Sequence, residues 1–143
     1  MVDVRREVKA VSASWVRGIV ERVLRLEKSE RRWVSVLLTD NRRIRKIHKR
    51  FLNEDTPTDV ISFWCPPGRL AQKESGYLGD LVVSAPMARA VAKRLGISFK
   101  EELARYLVHG TLHLLGYEDE AQAKKAKMIA RQELILKKLF KGN

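Results

Sequence analysis

The segment HGTLHLLGYEDE, from His109 to Glu120, holds two of the chain's three histidines, four residues apart, followed by a glycine and three acids. On a helix, residues i and i+4 share a face with their Cβ atoms roughly 5 to 6 Å apart, so His109 and His113 can present their imidazoles to one cation. Gly116 fits the left-handed position that ends helices, and a sharp reversal there returns a residue three places on toward the two rings. Asp119 occupies that place and is the expected third ligand, with Glu118 and Glu120 on either side competing for the role. Two nitrogens and a carboxylate oxygen, the latter at roughly 2.0 to 2.2 Å from zinc, leave a fourth position open, as a catalytic site requires. The plainer alternatives are two histidines at the polar margin of a buried helix and an aspartate that caps the next helix.

Counted from His109, the pattern matches the H-E-x-x-H-x-x-G-x-x-H spacing of the metzincin metal helix, with aspartate in the last column. The glutamate that serves those proteases as general base is replaced by Gly110, which disfavours peptide hydrolysis by that route. Glycine inside a helix costs about 1 kcal/mol against alanine, so Gly110 implies close approach by a neighbouring segment or a substrate.

The elements that position these residues can be read from periodicity. Trp15, Val16, Ile19, Val20, Val23 and Leu24 recur at helical spacing and predict a helix over about Ser14 to Lys28. WVSVLLTD follows as a β-branched strand, and Asp40 is placed to cap a helix, NRRIRKIHKRFL, whose Ile44, Ile47 and Phe51 form an inward stripe. TDVISFW reads as a strand, CPPGRLAQKESG as a loop, and YLGDLVVSAP as another strand. A helix from about Met87 stops at Gly96, and Ser98 with Glu101 forms a capping box that starts the histidine helix. A last helix, about Glu120 to Phe140, turns Met128, Ile129, Ile135, Leu136, Leu139 and Phe140 inward. Strands early and helices late indicate an α+β fold, a single domain spanning residues 1–143.

The 143 residues carry a formal net charge of +12, and between Arg17 and Arg50 twelve Lys/Arg face only four acids. Clustered cations gain by displacing counterions from a polyanion, which makes nucleic acid or anionic lipid the natural partner. Arg42, Arg43, Arg45, Lys46, Lys49 and Arg50 on the capped helix are the candidate phosphate-binding residues. No aromatic ladder accompanies them, and the alternative is a solvated helix face. The lone Cys65 gives no internal disulfide and suits a reducing cytoplasm; no stretch of 18 apolar residues suggests a membrane span.

Three segments in order, DTPTDVISF (Asp55 to Phe63), LGDLVVS (Leu78 to Ser84) and HGTLHLLGYED (His109 to Asp119), make the chain resemble the YbeY family of bacterial endoribonucleases. Their counterparts there are P-T-[DN]-V-L-S-F, L-G-D-I-x-I-S and H-G-x-L-H-L-x-G-Y-D-H. The resemblance implies a small mixed four-stranded sheet covered by helices, with a zincin-like metal helix. It further implies a zinc-dependent, single-strand-specific endoribonuclease, with one divalent ion per chain, acting in 16S rRNA 3′ maturation and ribosome quality control. Single-stranded rRNA and the small ribosomal subunit would be its partners and the cytoplasm its location. The metal positions carry over to His109 and His113, and by column to Asp119, where the family has histidine. An arginine that some members place before P-T-D-V aligns with Leu52, so its role is not carried over; Arg50 or Lys49 can approach the same space. Among other acids, Asp55 and Asp59 are expected to cap turns, and Asp80 is a candidate for orienting a histidine. The rivals to a nuclease are a non-catalytic RNA-binding ribosome-assembly factor with a structural metal, and a hydrolase of small or peptide substrates.

Overall fold

The computed structural model describes residues 2–65 and 76–140. The expected loop between Cys65 and Gly76 falls, for 66–75, outside the described residues. Four strands, β1 (Val2–Arg6), β2 (Trp33–Thr39), β3 (Val60–Trp64) and β4 (Tyr77–Ser84), form one sheet in the order β1-β2-β4-β3. The β1, β2 and β4 strands are parallel, and β3 runs antiparallel along the edge of β4. The described helices are α1 (Ala13–Leu26), α2 (Asn41–Leu52), α3 (Ala85–Leu95), α4 (Phe99–Leu114) and α5 (Gln122–Phe140). None is long and apolar enough to cross a membrane.

β1 is an addition to the sequence reading. Its pattern of burial leaves only Val2 fully inside, so the charged VDVRR segment shows little alternation and is recruited by pairing to β2. Helix starts follow the side chains available to satisfy free amides. Asp40 accepts from the Arg43 amide at 2.8 Å, and Ser98 accepts from the Glu101 amide at 3.1 Å. Gly96 ends α3 at φ +70°, as its lack of a Cβ allows.

The strands' two-residue alternation separates two apolar layers. Val34, Val36, Leu38, Leu81 and Val83 face the main core shared with α1, α4 and α5, whereas Val82 and Ile61 face Ile44 of α2 on the opposite side. Phe51 departs from the expected inward stripe and is 60% exposed; His48 takes the buried place one turn after Ile44. The periodicity located α2 but not its rotation, because a helix that packs on a narrow edge of sheet buries one row, not three. α5 shows the same effect: Met128, Gln132, Ile135 and Leu136 are buried, while Ile129 and Phe140 are 42% and 40% exposed.

Candidate metal centre

α4 is the most enclosed of the described helices, with Leu103, Leu107, Val108 and Leu112 fully buried against the sheet, α1, α3 and α5. Its close seat depends on Gly110. A Cβ there would lie 2.8 Å from a Leu81 methyl and 3.0 Å from a Val60 methyl, and the Ser62 hydroxyl donates to the Gly110 carbonyl at 3.1 Å. The glycine therefore answers the approach of β3 and β4, so the histidines one residue before and three after it stand beside the edge strand.

His109 and His113 have ring centroids 4.7 Å apart with an interplanar angle of 85°. The His113 Nδ1–H donates to the Tyr117 carbonyl at 3.0 Å. A carbonyl only accepts, so the proton of the neutral ring stays on Nδ1 and the Nε2 lone pair is left for a ligand. For His109 the partner is Gln132 Oε1, at 2.7 Å from Nδ1. The Gln132 amide is itself oriented, since its NH2 donates to the Glu133 carboxylate at 2.9 Å and Arg105 grips that carboxylate with two bonds of 3.0 Å. Arg105 holds the Glu133 carboxyl below its usual range, which keeps it an acceptor. A chain of charge-assisted bonds from α4 through α5 thus fixes the His109 tautomer. Gln132 was not singled out from sequence, although a polar residue within the Met128–Ile135–Leu136 stripe is the available signal.

The turn at Gly116 (φ +104°) brings Asp119 back, with Oδ2 3.4 Å from His113 Nε2. One ligand atom from each of His109, His113 and Asp119 lies within 4.8 Å of the others. Neighbouring donors around a tetrahedral zinc are about 3.3 Å apart, so the Asp119–His113 edge already has that span. Two imidazole nitrogens and an oxygen, with both Nδ1–H groups engaged by acceptors, fit a divalent cation of the zinc type. Glu118 is turned away to Lys124 at 2.7 Å, and α5 begins at Gln122, beyond the cap position that Asp119 would have served.

The three ligand atoms open on a groove of about 330 Å³ that also meets His48, Leu52, Asp59 and Trp64. Trp64 is 54% exposed and its indole N–H donates to the His113 carbonyl at 2.9 Å. A large apolar ring is thus left uncovered beside the site. His48 is tied to the loop before β3, through Nδ1 to the Thr56 carbonyl at 2.8 Å and Nε2 near Glu54 at 3.5 Å. Neither residue was identified from sequence; a histidine one turn after Ile44 in an otherwise apolar row was the signal for His48.

Other expectations are corrected. Asp80 does not orient a histidine: by register it opposes Phe63, on the α2 side of the sheet, and accepts from the Tyr77 hydroxyl. Among the described residues Asp55 caps no turn but pairs with Arg45 at 2.8 Å and Lys49 at 3.8 Å. Asp59 does act locally, accepting from the Val60 amide at 2.7 Å. The six cations of α2 are all exposed and fall on two flanks. Arg45 and Lys49 lie toward Asp55, whereas Arg43, Lys46 and Arg50 border a separate cavity against the sheet. Leu52 itself lines the groove, whereas Arg50 borders the separate cavity and Lys49 faces Asp55.

The profile of the family described as Endoribonuclease YbeY matches residues 2–140. Relatives bearing that name include a Sulfurihydrogenibium protein, 39% identical over 92% of this chain and 86% of its own. A Bacillus mycoides protein is 38% identical over 94% and 91%, and a Persephonella marina protein 34% identical over 85% and 78%. The solution structure of TM1509 from Thermotoga maritima has the same fold, with a TM-score of 0.71 at 22% identity, covering 99% of this chain and 91% of that one. With a family profile spanning nearly the whole chain and relatives this close, the chain belongs to the YbeY endoribonuclease family.

Proposed function

We propose that the protein is an endoribonuclease, as the names of its relatives suggest, that its activity depends on zinc and is directed at single-stranded RNA, and that it acts in the cytoplasm on rRNA of the small ribosomal subunit, in 16S 3′ maturation and ribosome quality control. The observation that carries this reading is the pair of imidazoles whose Nδ1–H groups are both taken by oxygen acceptors, so that both Nε2 atoms are free to meet Asp119 at an open groove. His109, His113 and Asp119 would hold a divalent cation, which would supply Lewis acidity toward a phosphoryl oxygen and lower the pKa of bound water.

The chain's own groups do the rest. Gln132 and the Tyr117 carbonyl hold the rings in the ligating tautomer, so no reorganisation is needed when the site is loaded. Exposed Trp64 offers a face on which a base beside the scissile bond can stack. Arg42, Arg43, Arg45, Lys46, Lys49 and Arg50 hold phosphates of the strand, which positions RNA without reading its sequence. Gly110 lies where a protease would place its general base, and its neighbours Leu81, Val60 and Ser62 leave no room there for a carboxylate.

The test is cleavage of short single-stranded rRNA fragments by zinc-loaded protein, beside chelated protein and His113→Ala. Cutting that both treatments abolish supports the nuclease. Equal cutting by the variant, or RNA binding and a bound metal without any turnover, refutes it; the latter result identifies an assembly factor.

A further inference from the structure

The sheet's other face carries a second recess. A cavity of about 690 Å³ lies between α2 and the sheet, bordered by Arg43, Lys46, Arg50, Phe51, Phe63 and Asp80, and it includes none of the three metal-site residues. Its volume is that of an ordinary small-ligand pocket. Phe51 and Phe63 meet edge to face with centroids 5.5 Å apart, and the Arg50 guanidinium sits 5.5 Å from the Phe51 ring. Phe51 is 60% exposed. Among the described residues, Arg43, Lys46 and Arg50 form no ion pair, in contrast to Arg45 and Lys49.

This combination has a specific chemical complement. Aromatic rings and a guanidinium plane accept a flat π system, and unpaired cations at the rim accept phosphates on both sides of it. At one wall Asp80 holds a carboxylate, a group that only accepts hydrogen bonds, oriented by the Tyr77 hydroxyl that donates to its Oδ1. Guanine presents two adjacent donors, N1–H and the exocyclic N2–H2, which a carboxylate meets side by side. Adenine and inosine cannot present that pair.

Resting on the RNA reading above, we propose that this cavity is a nucleobase pocket that takes one unstacked guanine of the bound single strand, stacked on Phe51 and Phe63 and read by Asp80, with Arg43, Lys46 and Arg50 on its flanking phosphates. β3 separates the pocket from the metal groove: Ile61 and Phe63 point to one side, Val60 and Ser62 to the other. A strand that fills both therefore crosses this edge strand, and the guanine lies at a fixed offset from the cut.

Equilibrium binding of eight-nucleotide single-stranded RNAs to the full chain in chelating buffer tests this. One oligonucleotide carries a single guanosine among uridines, and its twin carries inosine, which lacks only the N2 amino group. The guanosine strand is expected to bind about tenfold tighter. Asp80→Asn is expected to reduce that ratio to about twofold or less, and Phe51→Ala, at an exposed position, to weaken both strands about tenfold. Equal affinity for the two strands, or a preference that survives Asp80→Asn, overturns the pocket while leaving RNA binding intact. Absence of binding to any strand overturns both this proposal and the reading beneath it. A dimer in sedimentation that Phe51→Ala dissolves assigns the recess to a second copy and likewise overturns the proposal.

Discussion

α4 and α2 both carry the residues on which function is proposed to rest, yet they are built in opposite ways. α4 is enclosed by five other elements, α1, α3, α5, β3 and β4, and its histidines are held by bonded partners, so its imidazoles have one arrangement. α2 buries only Ile44 and His48 and sets its cations and Phe51 in solvent. The contrast fits the chemistry proposed for each. A metal site tolerates errors of a few tenths of an ångström and needs a rigid support, whereas phosphate binding depends on charge density at distances that solvent and side-chain motion can average. Substitutions in α4 are therefore expected to be steep and specific, and those in α2 shallow and additive.

The steepest expected effect is that of His113→Ala, which removes one of three ligands and should lower zinc affinity by more than about a hundredfold, a larger loss than removal of a supporting partner gives; calorimetric titration measures it. Next is the triple change of Arg43, Lys46 and Arg50 to Ser. Three single-strand phosphate contacts at about 0.7 each predict that the slope of log affinity against log salt falls by about 2, with no change in zinc binding. An unchanged slope removes this flank of α2 from the interface.

Gly110→Ala sharpens the comparison through stability. Alanine gains about 1 kcal/mol of helix propensity, but the new methyl collides with Leu81 and Val60, and overpacking of this kind costs about 1 to 3 kcal/mol. A net loss of about 1 kcal/mol is expected in urea unfolding, against a gain at a solvent-exposed helical glycine. The smallest effect concerns Glu133. Its folded-state pKa is lowered by Arg105, so the stabilisation is present above the ordinary carboxylate range and is lost as pH falls through the lowered folded value. The carboxylate is 46% exposed, which limits the contribution to less than about 1 kcal/mol. Glu133→Gln should remove that part of the acid dependence by lowering stability at neutral pH, by less than about 1 kcal/mol, while leaving stability at the acid end unchanged.

The elements near the metal were legible because each is announced locally. Ser98 and Glu101 mark the start of α4, Gly116 its end, and the two histidines need only the helical period to meet. Asp119 needed one further inference, the reversal after Gly116, and the chain makes that reversal. What remained hidden depends on pairing between distant segments. Gln132 reaches His109 only because α5 packs on α4, and Trp64 flanks His113 only because β3 is the sheet's edge. Asp80 and Phe51 were misplaced for a related reason. A strand residue's side of the sheet is fixed by its register with a partner, and a surface helix's rotation by how much sheet lies beneath it; neither is encoded in the residue's neighbours along the chain.

The central claim is that His109, His113 and Asp119 share one cation. Anomalous diffraction at the zinc edge, from crystals grown with one equivalent of zinc, tests it most directly. A single peak bonded to both Nε2 atoms and to an Asp119 oxygen, at about 2.0 to 2.2 Å from each, is the expected result. A peak held elsewhere on the chain, or imidazoles with no ion between them at full zinc occupancy, would contradict it.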